Sequence, residues 1–438
     1  MHESAPKLRL GTEEEAAVDS RATAYEALSA ESLPQRLGGL DAMRAALGAP
    51  EGWRVEEVGD GNLNLVFIVE GDADSVIVKQ ALPYVRLVGD SWPLPLKRAF
   101  FEYHALTRQE ARDPGRVPRL MHFDEAQALI VMERLSPHVI LRGRMMAGGE
   151  VAGLGATLGR FCARTAFRGS DLCMATADKK ADVGLFSGNV ELCDITENLV
   201  FTDPYFAAGM NRHTPALDPV VAELRGDEAL KIAAQHLKRA FSAKAETLCH
   251  GDLHAGSVMV TADEARIIDP EFAFYGPFGF DIGMMLGNFL MAFHAMPGHL
   301  GDRARPYQDW ILDQASEMWS AFCAAFGDLW RTERTGMLYP AALYEDQGQP
   351  QASEWALEQV LAEIFVDMLG FAGIEMHRRI LGLAHIAEFD TIADEGVRAP
   401  LEARSLRLGR ALAVDAARIA GMDRVLAMAR QSEKGDGP

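Results

Sequence analysis

Residues 249–260 read CHGDLHAGSVMV and place two histidines and an aspartate within five positions, directly before an apolar run that alternates like a strand. Three interpretations fit this stretch: a metal site, an exposed turn, or a loop that serves phosphate chemistry. Zinc is disfavoured, because imidazoles four residues apart converge on one metal from a helix, and Gly251 and Gly256 disfavour a helix here. We therefore expect His250 to brace the loop backbone and His254 to be exposed to solvent.

The composition excludes several classes of protein. The chain has 438 residues, enough for two domains, and its 43 basic and 63 acidic residues give a net charge of −20. This charge argues against a nucleic-acid partner, which normally requires a basic face. The five cysteines include no CxxC pair, which favours a reducing compartment. The most apolar stretch, residues 282–296, is shorter than the roughly 20 residues that span a bilayer, so we expect a cytoplasmic protein without a membrane partner.

The composition and the hydrophobic periodicity change along the chain. Residues 1–24 are polar and acidic, and we expect them to form a disordered tail. A helical segment (25–47), two strands that form a hairpin (53–71 and 74–82), a helix (98–112) and a strand (127–135) follow. The remainder is mostly helical by pattern, with amphipathic stretches at 150–167, 216–242, 306–325 and 353–384. The sequence predicts an α+β, bilobal protein, with a small β-rich lobe (25–132) and a hinge followed by a large helical lobe (133–438).

Two motifs in the first lobe suit phosphate binding. Gly59 and Gly61 lie between two strands, where small residues let backbone N–H groups approach phosphate, although Asn64 stands where a third glycine would be. A plain hairpin turn is the alternative. Lys79, in the apolar strand VIVKQA, suits a cation held on the phosphates of ATP, with Glu102 on the following helix as its partner. The alternative is a strand-end lysine that extends to solvent.

Carboxylates in the second lobe complete this pattern. Asp252 has the place of a catalytic aspartate that accepts or orients the proton of a substrate hydroxyl group. Asp269 and Glu271 follow a short hairpin, and side chains two apart at a strand end share a face, so both can bind one Mg²⁺. Ser257 stands where protein kinases carry a metal-binding asparagine, so Glu271 is expected to supply that contact. These motifs predict a kinase-like phosphotransferase that uses ATP and Mg²⁺ on a small molecule.

Several stretches also resemble one family, the 5-methylthioribose kinases. They are HGDLHAGS (250–257), DPEFAFYGPFGFDIG (269–283), MERLSPHVILR (132–142), VRLVGDSWPLPLKRA (85–99) and residues 176–205 and 375–392. The likeness spans about residues 25–415, and Ala255, where many members are expected to carry threonine, is a small departure. The resemblance implies a protein-kinase-like bilobal fold, a homodimer, and ATP-dependent phosphorylation of the anomeric hydroxyl group of 5-methylthioribose, which yields 5-methylthioribose 1-phosphate for methionine salvage.

The resemblance also implies contacts to the nucleotide. Asn62, Lys79 and the hinge residues Glu133, Arg134 and Leu135 would contact ATP. These assignments follow from position in the family pattern alone.

The substrate and metal contacts are implied in the same way. Asp252 would be the catalytic carboxylate and would contact the substrate, with Asp269 and Glu271 on Mg²⁺. Arg378 and Arg379 would reach the sugar-phosphate site. If both arginines serve, we expect them at a helix end or a break, one directed toward the sugar and one toward the phosphate, because successive helical residues point about 100° apart.

Alternatives exist for the substrate contacts and for the function. Trp92 would lie on a loop that covers the substrate, or it would only anchor a surface loop. The two arginines would otherwise lie on a solvated helix face and pair with neighbours such as Glu375 or Glu388. One rival function is a kinase that acts on an aminoglycoside, choline or homoserine, and the arginine pair argues against a cationic amine substrate. The other is a nucleotide-binding module without turnover, and the intact catalytic positions argue against it.

Overall fold

The computed structural model describes residues 25–58, 63–85 and 89–433. The predicted tail (1–24) and three proposed nucleotide contacts, Gly59, Gly61 and Asn62, lie outside these residues. Trp92 lies in a described strand, but its side chain is outside the described part of the protein.

The N-terminal part is built around an antiparallel sheet. Its elements are α1 (Leu33–Leu37), α2 (Asp41–Leu47), β1 (Arg54–Glu57), β2 (Asn64–Glu70), β3 (Ser75–Ala81), β4 (Tyr84–Val85), β5 (Gly89–Pro93), α3 (Arg98–Arg112), β6 (Leu120–Asp124) and β7 (Leu129–Glu133). The main sheet has the order β1-β2-β3-β7-β6. The predicted hairpin and the helix at 98–112 are confirmed. The expected helical segment at 25–47 is instead two short helices, since Gly38 and Gly39 interrupt it.

The alternation of side chains gives this sheet two different faces. On one face Val78 and Val131 pack against the N-terminal helices. On the other face Ile77 and Ile130 contact the core that includes α3. Lys79 is paired with Ile130 across the strands, so its side chain points to the same face as Ile130 and is only 8% exposed. The lysine therefore points into the protein, and the alternative of a solvent-directed lysine is wrong.

The remainder of the chain is mainly helical, with short strands among the helices. The helices are α4 (Leu141–Met146), α5 (Leu154–Arg168), α6 (Thr176–Phe186), α7 (Val190–Leu199), α8 (Asp218–Gly226), α9 (Glu228–Ala243), α10 (Phe280–Leu300), α11 (Ala304–Thr332), α12 (Pro350–Leu381), α13 (Ala387–Asp390), α14 (Glu395–Asp415) and α15 (Met422–Ser432). The strands are β8 (Val139–Ile140), β9 (Thr247–Cys249), β10 (Val258–Val260), β11 (Ala265–Ile267) and β12 (Phe274–Gly276). The predicted helical stretches are confirmed as helices, except that 216–242 is two helices, because Asp227 caps the start of α9.

The long apolar stretch at 282–296 lies in α10, a helix buried along most of its length. Helices α11, α12 and α14 contact α10, which explains why its apolar residues are not confined to one stripe. No described helix combines the length and the apolar character that crossing a membrane requires.

Helices α12 and α14 approach each other closely at two glycines. A Cβ atom on Gly373 would lie 2.3 Å from the carbonyl oxygen of Gly409, so only glycine fits at this crossing. This crossing lies less than two turns before Arg378 and Arg379, which occupy the last turn of α12. The packing of the helices thus fixes where the two arginines are presented.

Candidate active site

The loop at 250–257, between β9 and β10, is held in place through its backbone. Nε2 of His250 lies 2.9 Å from the carbonyl oxygen of Ile268, so His250 braces the loop as predicted. The carboxylate of Asp281, in the first turn of α10, accepts hydrogen bonds from the backbone N–H groups of His250 (2.6 Å) and Gly251 (3.1 Å). Gly251 has φ +90°, and a Cβ atom there would lie 2.1 Å from the carbonyl oxygen of Phe272. Contacts with Ile268, Asp281 and Phe272 therefore fix the conformation of this loop.

Asp252 is bound by both predicted arginines. Nη1 of Arg378 and Nη2 of Arg379 each donate to Oδ1 of Asp252 at 3.0 Å. Both guanidinium groups also donate to Glu375, Arg379 through Nε (2.6 Å) and Arg378 through Nη1 (3.2 Å). The arginine side chains are 8% and 6% exposed, so the alternative of a solvated helix face is wrong. We refer to these four residues as the arginine cluster.

The helix end explains how two adjacent arginines reach one oxygen. Arg378 and Arg379 occupy the last turn of α12, and Glu375 precedes them by three and four residues, the spacing at which helical side chains meet. Glu375 therefore stands between two long side chains that start about 100° apart. The expected position at a helix end is confirmed, but the two side chains converge on Asp252 and do not diverge toward separate groups.

His254 is not exposed, in contrast to the expectation. Its side chain is 16% exposed, and Nδ1 accepts a hydrogen bond of 2.8 Å from the backbone N–H of Gly256. A neutral ring therefore carries its proton on Nε2, which lies 3.4 Å from Oδ2 of Asp252. Burial lowers the pKa of His254 to about 4, although Asp252 opposes this shift. Its apolar neighbours Leu253 and Ala255 are fully buried, and they were the available signal in the sequence for this burial.

The charges around Asp252 set its ionisation. Burial alone would raise the pKa of Asp252, but Arg378, His254 and Arg379 outweigh burial and hold that pKa well below its usual range. Asp252 is therefore a carboxylate at neutral pH.

A second group of charged residues surrounds Lys79. Nζ of Lys79 donates to Glu102 on α3 at 2.8 Å, as predicted, and also to Asp269. Glu271 accepts from Nδ2 of Asn64 at 3.2 Å, and Nε of Arg98 lies 3.3 Å from its carboxylate. We refer to Lys79, Arg98, Glu102, Asp269 and Glu271 as the lysine cluster.

The lysine of this cluster stays charged. Burial alone would lower the pKa of Lys79, but Asp269 and Glu102 outweigh burial and raise that pKa. The buried ammonium group is therefore a fixed positive charge below the sheet.

The structure brings Asp269 and Glu271 together, but the prediction that they share one face of a strand is wrong. Strand β11 ends at Ile267, so both carboxylates lie in the following loop and do not share the face of a strand. Asp269 has φ +68°, a left-handed conformation that non-glycine residues rarely adopt and that is common at functional sites. Ser257, at the position of a kinase asparagine, instead donates to the carbonyl oxygen of Asp252 at 3.0 Å.

The lysine cluster fits a divalent metal ion. Glu102, Asp269 and Glu271 each offer a carboxylate oxygen, and these oxygens lie within 4.8 Å of one another. Oxygen donors of this kind are the ligands that Mg²⁺ prefers. Two cations, Lys79 and Arg98, face three carboxylates, and burial raises the pKa of Glu102 to about 8 and also raises the pKa of Glu271, so a further cation would be needed to keep all three carboxylates ionised at neutral pH. Glu102 was predicted only as the partner of Lys79, and the structure adds it to the possible ligands.

The predicted hinge residues lie apart from both clusters. Glu133 ends β7 and accepts from Nη2 of Arg266 at 3.2 Å, while Nη1 of Arg134 donates to Glu70 at 2.5 Å. Leu135 is buried. Since the polar side chains of this segment are engaged with protein groups, a contact from it to ATP would come from the backbone.

Several residues of the site were missed in the sequence. Asp281 and Glu375 lie in stretches that carry the family resemblance, but no chemistry was assigned to Asp281, and Glu375 was considered only as a surface partner. Asn288 accepts from the backbone N–H of Ala255 at 3.3 Å and donates to Glu375 at 3.4 Å. A polar residue inside the apolar stretch at 282–296 was the available signal for it.

Comparisons with known proteins agree with this geometry. The model of the phosphotransferase enzyme family matches residues 54–317. A methylthioribose kinase of Escherichia coli O45:K1 is 43% identical over 418 residues, which cover 94% of this chain and 99% of the relative. Methylthioribose kinase 1 of Oryza sativa subsp. japonica is 42% identical over 389 residues, 87% of each chain. Together with the observed sheet and helices, these matches confirm the predicted α+β, kinase-like fold.

Solved structures align with this chain only at low TM-scores and low sequence identity. A Plasmodium vivax ethanolamine kinase aligns with a TM-score of 0.41 and 12% identity, covering 81% of this chain and 82% of that chain. A glucosamine kinase aligns with a TM-score of 0.42 and 14% identity, covering 81% and 79%. Likenesses at this level say nothing about the substrate of this chain.

Proposed function

Because the chain belongs to the methylthioribose kinase family, we propose that it transfers the terminal phosphoryl group of ATP to the anomeric hydroxyl group of 5-methylthioribose. The product is 5-methylthioribose 1-phosphate, an intermediate of methionine salvage. Membership in this family makes the chain an ATP-dependent phosphotransferase. The substrate, the position of the transfer and the residues that perform it are the proposal.

The observation that carries this proposal is the convergence of two buried arginines on Asp252. A substrate hydroxyl group beside Asp252 lies close to two guanidinium groups. These cations disfavour an ammonium group in the same place and favour a neutral sugar that gains phosphate oxygens, which arginine binds through parallel hydrogen bonds. This supports a neutral sugar, such as methylthioribose, over choline and the aminoglycosides.

Asp252 has the properties required of the group that meets the substrate hydroxyl. Its Oδ1 atom is occupied by the arginines, whereas Oδ2 faces only the Nε2–H of His254 at 3.4 Å among the contacts of the described residues. We assign Oδ2 to the substrate hydroxyl group. A carboxylate with a strongly lowered pKa is a weak base, so Asp252 orients the hydroxyl and receives its proton late, as phosphoryl transfer through a loose transition state permits.

The lysine cluster would bind the nucleotide phosphates. Lys79, fixed by Glu102, supplies a positive charge for phosphate oxygens, and Asp269 and Glu271 would hold Mg²⁺. When bound, the metal ion neutralises negative charge on the phosphates that react. Gly59, Gly61, Asn62 and the backbone of residues 133–135 are proposed to contact the remainder of ATP.

Further features stay predictions of the same proposal. We place the lobe boundary between Met132 and Glu133, at the end of β7. Trp92 is proposed to cover the sugar, and the protein is proposed to be a cytoplasmic homodimer. Multi-angle light scattering on the purified protein checks the oligomeric state.

A panel of acceptors tests the function. The purified protein is incubated with ATP and Mg²⁺ and with methylthioribose, choline, homoserine or an aminoglycoside, and ADP release is followed. We expect the fastest release with methylthioribose, and a ³¹P spectrum that shows the phosphate coupled to the anomeric proton. Faster phosphorylation of another acceptor, or a phosphate on a different hydroxyl group, would contradict the proposal.

A further inference from the structure

Glu375 is the most buried member of the arginine cluster. Its side chain has no exposed surface, and each carboxylate oxygen has its own guanidinium partner. Oε1 accepts from Nε of Arg379 at 2.6 Å, and Oε2 accepts from Nη1 of Arg378 at 3.2 Å. Glu375 and Asp252 thus share the same two guanidinium groups, with Nη1 of Arg378 donating to both carboxylates, and Glu375 approaches no atom of the catalytic loop directly among the contacts that the structure describes.

Asn288 joins this carboxylate to the catalytic loop. Its Nδ2 atom donates to Oε1 of Glu375 at 3.4 Å and to the carbonyl oxygen of Met284 at 3.0 Å. Its Oδ1 atom accepts from the backbone N–H of Ala255, three residues after Asp252, at 3.3 Å. The side chain is completely buried in α10. One amide therefore ties the C-terminal end of α12 to the loop that presents Asp252.

The charges show why such a link matters. Two guanidinium groups face two carboxylates, so the arginine cluster is neutral as a whole. Without the negative charge of Glu375, both arginines would depend on Asp252 alone and would draw closer around the oxygens that a substrate needs. A buried charge that loses its partner is also strongly destabilising locally, so the side chains would be expected to shift.

We infer that Glu375, linked through Asn288, is a positioning residue that sets the distance and orientation of the arginine pair relative to Asp252, and thereby the productive placement of the sugar. This inference rests on the proposed function, because the placement matters only if a sugar hydroxyl is the acceptor. Glu375 does not touch the reacting atoms. It acts through Arg378 and Arg379.

The test is Glu375→Gln, which keeps the size of the side chain and removes its charge. We expect kcat/KM for methylthioribose to fall by about 10- to 100-fold, the range for small misplacements at a reacting centre, with a higher KM and a lower kcat. The affinity for nucleotide, measured by calorimetry, should stay close to wild type, since Glu375 has no contact with the lysine cluster among those of the described residues. Glu375→Asp keeps the charge on a shorter side chain and should recover part of the loss.

A matched control separates positioning from folding. Glu402 in α14 is also a buried glutamate, 2% exposed, and contacts no member of the arginine cluster within the described structure. Glu402→Gln should therefore leave the KM for methylthioribose close to wild type. Wild-type kinetics in Glu375→Gln would overturn the inference. So would parallel losses of thermal stability, nucleotide affinity and turnover in both glutamine variants, or a Glu375→Asp variant no better than Glu375→Gln.

The proposed function fails in a different way. If the wild-type protein does not phosphorylate methylthioribose, the proposed function is wrong, and the role of Glu375 in placing that sugar is overturned with it. If the wild-type protein phosphorylates methylthioribose and the Glu375 variants have the same kinetics, the proposed function stands and only the positioning role of Glu375 is wrong.

Discussion

The lysine cluster and the arginine cluster lie in the same site and are balanced differently. The lysine cluster has three carboxylates against two cations, whereas the arginine cluster has two of each. Burial raises the pKa of Glu102 and of Glu271, so this excess of carboxylates stays fully ionised only with a further cation, which a nucleotide-bound metal ion would supply. A neutral cluster needs no such ion and can accept an uncharged sugar. The difference supports the proposal that the lysine cluster binds the phosphate end of the reaction and the arginine cluster the sugar end.

Removal of Asp252 gives the largest expected effect, since it breaks the balance of the arginine cluster and removes the group that meets the hydroxyl. In Asp252→Asn we expect turnover of methylthioribose to fall by about two to four orders of magnitude, the range for a positioned acid–base group. Nucleotide affinity should stay close to wild type, because the lysine cluster is untouched. Steady-state kinetics and calorimetry measure the two quantities, and near-normal turnover would remove Asp252 from the mechanism.

Removal of a carboxylate from the lysine cluster should affect only the metal-dependent part of the reaction. We expect Asp269→Ala and Glu271→Ala each to weaken Mg²⁺-dependent nucleotide binding by about tenfold or more, since each removes an oxygen ligand from a hard cation. The measurement is a titration of nucleotide binding against Mg²⁺ concentration.

Asp263→Ala is the matched control for this pair, because Asp263 lies in the exposed turn between β10 and β11 and pairs only with Thr261 among the contacts of the described residues. If Asp269→Ala or Glu271→Ala shows the same Mg²⁺ dependence as this control, that residue is not a ligand. The distinction between a metal-requiring cluster and a neutral cluster would then be lost.

The two clusters also differ in how much of them the sequence could predict. Lys79, Glu102, Asp269 and Glu271 lie in short motifs whose order along the chain is typical of kinase-like folds, so local pattern was sufficient to select these residues but not to show that Glu102 joins the two other carboxylates. The left-handed backbone at Asp269 was missed, because no turn residue such as glycine marks it.

The arginine cluster depends on contacts between distant parts of the chain. Asp252 and Arg379 are 127 residues apart, and Asn288 and Glu375 are 87 apart. Nothing in local periodicity distinguishes a buried Glu375 from a surface glutamate, and the burial of His254 follows from the approach of α12 and α4 to its loop. The two-lobe pattern and the helices could be predicted from the sequence, because hydrophobic periodicity is a local signal. The position of one helix against a distant loop could not be predicted in this way.

Conservative changes at the two arginines should sharpen the comparison. Arg379 uses two nitrogens, Nε for Glu375 and Nη2 for Asp252, whereas Arg378 uses the single nitrogen Nη1 for both. A lysine ammonium can replace one nitrogen but not a planar fork. We therefore expect Arg379→Lys to lower kcat/KM for methylthioribose by about 10- to 100-fold and Arg378→Lys to lower it by about tenfold or less.

Nucleotide affinity should be unchanged in both lysine variants. Equal losses in the two variants would show that the fork geometry of Arg379 is not used. Wild-type kinetics in both would leave the covering loop that carries Trp92 as the only proposed recognition of the sugar.

The smallest expected effect concerns the charge of His254 and is measured as stability. In the folded protein the pKa of His254 is about 4, below its ordinary value of 6.5, so between these two pH values the unfolded chain binds more protons than the folded protein. The free energy of unfolding therefore falls as the pH is lowered from 6.5 to 4, and it is fully restored above 6.5. Protonation would add a third cation beside Asp252, next to Arg378 and Arg379. Between pH 7 and pH 5, we expect the free energy of unfolding of His254→Gln to fall by about 1 to 2 kcal/mol less than that of the wild type, as measured by chemical denaturation.

The control is His236→Gln, at an exposed histidine, and its stability should follow that of the wild type. If His254→Gln and wild type lose the same stability between pH 7 and pH 5, then burial does not hold His254 neutral in the folded protein.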